Sequence, residues 1–254
     1  MSNPHGTHIW YELLTTDLAA AADFYGKVIG WTASSYPHAA PDAPPYTILS
    51  AGSEGVGGTM KNPMPTGAVW IGYVGVDDVD AAVARLEQLG GKVHRPAWDL
   101  EGIGRMAFVA DPQGAVFYLM RGASEQDSTA FAPTTDGHCA WNELYAADQA
   151  AAFEFYEAMF GWQKGDSMPM GELGDYTFLN HGGAMIGAVM KKPPEAPAVT
   201  WNYYFRVSGI DAATQRIRAA GGTVVTGPEK VPGDEWVVFA LDPQGAAFGL
   251  VGSR

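Results

Sequence analysis

The chain has 254 residues, 15 Lys and Arg against 28 Asp and Glu, a net charge of −13 and a pI near 4.7. That balance excludes a protein whose binding starts on a nucleic-acid backbone, which needs a basic patch, and it disfavours an anionic membrane surface. No apolar run approaches the ~20 residues of a membrane-spanning helix, and the opening MSNPHGTH lacks the basic and apolar parts of a secretory signal. The single cysteine, Cys139, excludes an internal disulfide. A cytoplasmic protein is expected.

In chain order, a short alternating run at Trp10 predicts a strand, Asp17 a helix cap, and Leu18 to Ile29 a helix with one apolar stripe. Trp31 to Tyr36, Tyr46 to Ser50 and the Gly-rich Gly55 to Met60 follow as strands, and the Pro-rich loop His38 to Pro45 is placed to overhang a pocket. A second unit opens at Trp70, continues with a helix over Val79 to Leu89, and adds strands near Lys92 to His94, Arg105 to Ala110 and Ala115 to Met120. The turn Asp111-Pro112-Gln113-Gly114 recurs as Asp242-Pro243-Gln244-Gly245, each with Asp at i, Pro at i+1 and Gly at i+3 of a type I turn.

The order then starts again. WYELLTTDLAAAADFYGKVIGW from Trp10 returns 131 residues later as WNELYAADQAAAFEFYEAMFGW from Trp141, identical at eleven of twenty-two positions. Unrelated segments match at about one or two, so the chain is duplicated. Fainter copies start at Trp70 and Trp201. In all four a Gly follows the Trp twenty residues later, at Gly30, Gly90, Gly161 and Gly221, where a helix ends with positive φ. The reading is α+β: four βαβββ units, an Asp or Ser capping each helix, arranged as domains 1–123 and 137–254 joined by the polar linker 124–136. A four-stranded sheet with a helix on one face must bury the other, and facing sheets do so by enclosing a cupped cavity.

The motif W-x-E-L-x-x-x-D with F-Y and G-W, together with V-x-D-V-D-A-A and D-P-Q-G-A, resembles the vicinal oxygen chelate superfamily over nearly the whole chain. That superfamily includes glyoxalase I, bleomycin-resistance proteins, extradiol dioxygenases and fosfomycin-resistance enzymes, and the match is to its double-domain glyoxalase-like subgroup. The resemblance implies the two-domain fold, with the halves as a pseudo-dimer in a monomer or a homodimer. Cavities form either within each half or between units of different halves. It also implies where a metal would sit: a His or Gln on each opening strand and a Glu on each last strand. Here the first position holds Trp10, Trp70, Trp141 and Trp201, and the second holds Tyr118 and Gly249, falling near Met60 and Met190 in the other two units. Indole, phenol and thioether do not replace imidazole and carboxylate for divalent ions, so no cofactor is expected at the usual place.

What remains is a set of aromatic walls and two carboxylates. Side chains two apart on a strand share a face, so Glu12 goes with Trp10, and Glu143 with Trp141. Each Glu is either an acid/base or ligand contact, or a tie to neighbouring backbone or an Arg. Each Trp is either a wall that stacks on a planar or cationic ligand, or core filling. Tyr118 would join the walls, and Arg105, opening a strand, would reach an anion at a cavity mouth or sit as a surface residue. Three functions are carried forward: metal-independent binding of a small organic molecule, a lyase or isomerase using Glu12 or Glu143 as acid/base, and a metalloenzyme with a displaced site around His8 and Glu12. Cys139 reads as a small apolar residue. Its neighbour His138 points to the opposite face of the strand, so a Cys–His nucleophile is not expected.

Overall fold

The computed structural model describes residues 3–37, 44–63 and 67–254. The stretch expected to overhang a pocket, His38 to Pro45, lies outside them except for its last two prolines. Among the described residues no helix is long and apolar enough to cross a membrane.

Four modules follow one another. The first is β1 (His8–Thr15), α1 (Leu18–Val28), β2 (Thr32–Ser35), β3 (Tyr46–Ala51) and β4 (Glu54–Lys61). The second is β5 (Val69–Gly75), α2 (Val79–Gln88), β6 (Lys92–Leu100), β7 (Gly104–Ala110) and β8 (Val116–Gly122). The third is β9 (Cys139–Ala146), α3 (Gln149–Phe160), β10 (Gln163–Pro169), β11 (Asp175–His181) and β12 (Ala184–Lys191). The fourth is β13 (Thr200–Arg206), α4 (Ile210–Ala219), β14 (Thr223–Val231), β15 (Glu235–Leu241) and β16 (Ala247–Gly252). Within every module the strands pair in the order second, third, fourth, first, with the first and fourth parallel.

Local chemistry explains the helix ends. Asp17, Asp78 and Asp148 each accept the amide of the residue three positions on, at 3.0, 3.0 and 3.1 Å. The fourth helix departs from the expected Asp or Ser cap: its N-cap is Gly209, with no side-chain acceptor. Ser208 falls one position too early. Gly30, Gly90, Gly161 and Gly221 close the helices with φ of 98, 87, 69 and 88°.

The modules associate crosswise. One compact unit contains the chain up to Ile9, Gly72–Ser128 and Trp141–Asn202, and so the second and third modules. The other contains Trp10–Ile71, Thr129–Ala140 and Tyr203–Arg254, the first and fourth. In the unit of the first and fourth modules, α1 packs against α4, and Phe24 and Tyr25 of α1 set their rings edge-on to Phe248 at 5.7 and 5.3 Å. In the other unit α2 packs against α3, whose Tyr156 and Phe160 meet Phe117.

The Asp-Pro-Gln-Gly turns hold each pairing together. Asp242 Oδ1 accepts its own turn amides from Gln244 and Ala246 at 2.8 and 2.9 Å, while Oδ2 accepts Tyr25 OH at 3.1 Å. Asp111 does the same with Gln113, Ala115 and Tyr156 at 2.9, 2.9 and 3.1 Å. The adjacent Gln grips the start of the partner module's helix. Gln244 Oε1 accepts the Asp17 amide at 2.8 Å and its Nε2 donates to Asp17 O at 2.9 Å. Gln113 repeats this on Asp148 at 2.7 and 2.8 Å. Sequence alone showed two turns; the structure makes each one a clasp between modules of different halves.

Burial pushes the carboxyls of Asp111 and Asp242 above the usual carboxylate range, against the pull of the turn amides and the Tyr hydroxyl. Tyr156→Phe strips one such carboxylate of a donor and deprives Trp201 Nε1 of its acceptor. The expected cost is about 2–3 kcal/mol, read as a fall in melting temperature on the order of 5 °C with the far-UV spectrum retained.

Candidate functional site

Strand register decides which side chains share the sheet face that the helices leave uncovered. Glu12 pairs with Gly58, Tyr73 with Tyr118, Glu143 with Ala188 and Tyr204 with Gly249. All four opening-strand members lie five residues before their helix caps Asp17, Asp78, Asp148 and Gly209. The last-strand positions of the first and third modules are therefore Gly58 and Ala188. Met60 and Met190, expected there, lie two residues further along.

The same ruler separates the four tryptophans. Trp10 and Trp141 are seven residues before their caps, but Trp70 and Trp201 are eight. One residue reverses the face of a strand side chain. Trp70 is 3% exposed beneath α1, donating from Nε1 to Tyr25 OH at 2.8 Å, and Trp201 is 5% exposed beneath α3, donating to Tyr156 OH at 2.9 Å. Both belong to the helix-covered core. Trp10 and Trp141, half-buried, face the other way.

On the third module's open face Glu143 is 5% exposed. Tyr176 OH donates to its Oε2 at 2.8 Å, and Trp141 Nε1 donates to Tyr176 OH, also at 2.8 Å. Tyr145, two residues along the strand, hydrogen-bonds to the same carboxylate. Burial, and after it the Glu143 charge, raises both phenols above their ordinary value near 10, so neither gives up its proton in the physiological range. An indole N–H only donates, so the chain has one direction: Trp141 to Tyr176 to Glu143. Phe178 adds its ring edge-on to Trp141 and Tyr176 at 6.0 Å each.

The first module repeats part of this. Trp10 Nε1 donates to Tyr46 OH at 2.8 Å, and Glu12 is 2% exposed on the same face. A Cβ on Gly58 would run into the Tyr46 hydroxyl, so this glycine makes room for the ring. Tyr46 and Tyr176 were not among the residues expected at the site. Their signal is present as a second duplication, Tyr-Thr-Ile-Leu at Tyr46 and Tyr-Thr-Phe-Leu at Tyr176.

The second and fourth modules carry no carboxylate at this place. Tyr73 stacks on Tyr118 at 4.3 Å and 21°, with Phe108 4.9 Å from Tyr118. Tyr204 instead lies over Gly249, where a Cβ would meet its ring. Arg105 is committed elsewhere: its guanidinium meets Asp80 at 2.7 and 2.8 Å and Asp99 at 3.0 Å.

His8 is 4% exposed and stacks on Trp162 at 5.1 Å, with Trp201 edge-on at 5.9 Å. Cys139 is fully buried. His138 is buried too, and its Nδ1 donates to Thr129 O at 2.6 Å. Among the described residues no three His, Cys, Asp or Glu side chains converge as a cation cluster. Depressions of about 380 and 370 Å³ open beside the start of α3 and beside Trp31 and His138, and neither is lined by the residues of the Glu faces.

Against known proteins, the model of the Glyoxalase/Bleomycin resistance protein/Dioxygenase superfamily matches residues 8–119 and 137–250. CFP32 of Mycobacterium tuberculosis, which carries the name of a glyoxylase, is 34% identical over 252 residues, covering 97% of this chain and 94% of its own. The anthracycline biosynthesis protein DnrV of Streptomyces peucetius is 32% identical over 271 residues, covering 98% and 94%. Solved structures share the fold, two of them as follows. The Mn(II)-bound glyoxalase from Novosphingobium aromaticivorans has a TM-score of 0.68 at 17% identity, over 98% of this chain and 83% of that one. An extradiol ring-cleaving dioxygenase from B. fuscum has a TM-score of 0.69 at 18% identity, over 98% and 72%.

Burial lowers the basicity of His8 from 6.5 to about 3, with the nearby His181 adding to the effect. Between those values the unfolded chain takes up a proton that the folded chain refuses. Stability tied to His8 is therefore complete above pH 6.5 and declines as the pH falls toward 3. His8→Phe should flatten this acid limb, shrinking the loss between pH 7 and 4.5 by about 2–3 kcal/mol in urea unfolding.

Proposed function

The chain belongs to the Glyoxalase/Bleomycin resistance protein/Dioxygenase superfamily, and from that premise we propose that it binds a small aromatic molecule bearing a hydroxyl or ammonium group. The binding surface in this reading is the Glu143 face of the third module, with the Glu12 face of the first as its duplicate. The observation that carries it is the directed chain from Trp141 through Tyr176 to a carboxylate that is 5% exposed. A carboxylate accepts only, and its neighbours already donate, so what it offers a ligand is further acceptor capacity for O–H or N⁺–H. The rings of Trp141, Phe178 and Tyr176 supply a floor for a flat or cationic group. The names of the relatives, a glyoxylase and an anthracycline biosynthesis protein, both concern small organic molecules.

The metal ion of the superfamily does not fit this donor set. Register gives the opening-strand position, seven residues before each cap, to Trp10, Ile71, Trp141 and Asn202, and the last-strand position to Gly58, Tyr118, Ala188 and Gly249. None of these is an imidazole or carboxylate, the ligands that hard and borderline divalent ions take. The reading is accordingly metal-independent, and sequestration of a toxic or reactive compound is one use of such a site.

A second reading rests on the polarity of the same chain. Because Trp141 fixes the direction of donation, the Tyr176 proton points at Glu143 and keeps it a proton acceptor, the state a general base needs beside a carbonyl.

Glu143→Gln should lower affinity for hydroxylated or amine-bearing naphthalenes about tenfold or more with the melting temperature little changed, and Tyr176→Phe should lower it several-fold. Tryptophan-fluorescence titration reads both, and unchanged affinity in Glu143→Gln would remove the proposal. Affinity that disappears on chelation and returns with stoichiometric metal would remove its metal-independent part. Solvent deuterium entering a bound ketone next to its carbonyl, and abolished by Glu143→Gln, would promote the acid/base reading over simple binding.

A further inference from the structure

The edge strand of the second module ends an aromatic row with a guanidinium whose donors are unspent. The row runs across β5, β8 and β7: Tyr73 stacked on Tyr118 at 4.3 Å, then Phe108 at 4.9 Å from Tyr118. On β6 the residue opposite Phe108 is Arg95, so its side chain leaves the sheet on the face of that row. The strand is bulged on both sides of Arg95, between Val93 and Arg95 and again between Arg95 and Trp98. Bulges re-aim side chains, and here they bring the Arg95 Cζ to 3.7 Å over the ring of Trp98, which itself approaches Tyr118 edge-on at 6.3 Å.

Stacking occupies the faces of a guanidinium and leaves its five N–H donors in the plane, in the fork that matches a carboxylate. Among the described residues no carboxylate lies within 4 Å of those donors, as with Arg85, Arg216 and Arg218, whereas Arg105, Arg121, Arg206 and Arg254 each have one. Asp99 on the same strand is committed to Arg105 at 3.0 Å. In a chain of net charge −13, a guanidinium centred over an indole beside a row of rings, with no carboxylate within 4 Å, is placed to accept an anion from outside.

We infer that Arg95 is a specificity residue that reads the carboxylate of a flat aromatic acid lying along the Tyr73–Tyr118–Phe108 row. This rests on the reading that the Glu143 and Glu12 faces take small aromatic molecules, extends it to the matching face of the second module, and adds there a preference of the opposite sign. Trp98 holds the guanidinium at the height of the ligand plane, and the rings hold the hydrocarbon. Arg105, which the sequence offers either as an anion contact at a cavity mouth or as a surface residue, is satisfied by Asp80 and Asp99 and leaves this role to Arg95.

The test compares 2-naphthoate with its uncharged isostere 2-naphthamide by titration calorimetry on the full chain, in wild type, Arg95→Gln and Arg95→Lys. The acid should bind roughly tenfold tighter than the amide, as a charge-assisted pair predicts. Arg95→Gln should erase that preference while leaving amide affinity within about twofold, and Arg95→Lys, a point charge without the fork, should keep only part of it. Equal binding of acid and amide by the wild type, with the amide still bound, would overturn the role of Arg95 alone. An equal loss of both ligands in Arg95→Gln would make it a packing residue for Trp98 and overturn the inference as well. If neither compound binds, the aromatic-ligand reading of this face fails and the inference goes with it.

Discussion

A hydrogen bond with only one permitted direction organises this chain. An indole N–H donates and cannot accept, so wherever a tryptophan meets a tyrosine hydroxyl, the hydroxyl must turn its own proton elsewhere. All four repeat tryptophans make that contact, Trp10 with Tyr46, Trp70 with Tyr25, Trp141 with Tyr176 and Trp201 with Tyr156. In three of them the hydroxyl in turn donates to a buried acid: Tyr25 to Asp242, Tyr176 to Glu143 and Tyr156 to Asp111. Burying a carboxylate is costly unless donors surround it, and this arrangement supplies one donor that cannot be reversed. On the helix-covered face the acid belongs to a turn from the other half of the chain, so the relay fastens modules together. On the open face the acid belongs to the same strand as the tryptophan, so the relay prepares a surface.

The duplication, the βαβββ order, three of four helix caps and the glycine helix ends were legible because each depends on residues close in sequence. The facing of the tryptophans was not. The constant spacing of twenty from Trp to Gly hides a trade: in the second and fourth modules the cap comes one residue later, and the helix is ten residues long where α1 and α3 have eleven and twelve. The two changes cancel in the total and do not cancel in the strand, where parity alone decides the face. The crosswise association of modules was equally hidden, since the residues that clasp, Gln113 on Asp148 and Gln244 on Asp17, look in sequence like ordinary turn positions.

Pairing explains the occupants of the open faces better than spacing from a motif does. Opposite Glu12 and Glu143 stand Gly58 and Ala188, the two smallest residues available; Tyr46 of the neighbouring strand fills the space over Gly58, and in the third module Tyr176 of the neighbouring strand reaches Glu143. A larger residue at Gly58 would displace Tyr46, and with it the acceptor that Trp10 uses. The carboxylate, the small residue and the phenol are therefore one solution to a packing problem. The duplicated Tyr-Thr-x-Leu strand is the trace it leaves in sequence.

The modules without a carboxylate solve the same position in two ways, and the difference is steric. In the second module both paired positions hold tyrosine, and the rings stack at 4.3 Å. In the fourth, Tyr204 lies down over its partner, which must be Gly249 because any Cβ there would enter the ring. A Tyr at 249 would force Tyr204 upright, and a Gly at 118 would remove the ring on which Tyr73 rests. Each residue of a pair thus fixes the other, and neither can drift alone without leaving a void or an overlap. Divergence between the duplicated halves has to pass through such coupled pairs. It accounts for a stacked pair leading outward to Phe108 and Trp98 in the second module, against a single flat ring 6.3 Å from Phe239 in the fourth.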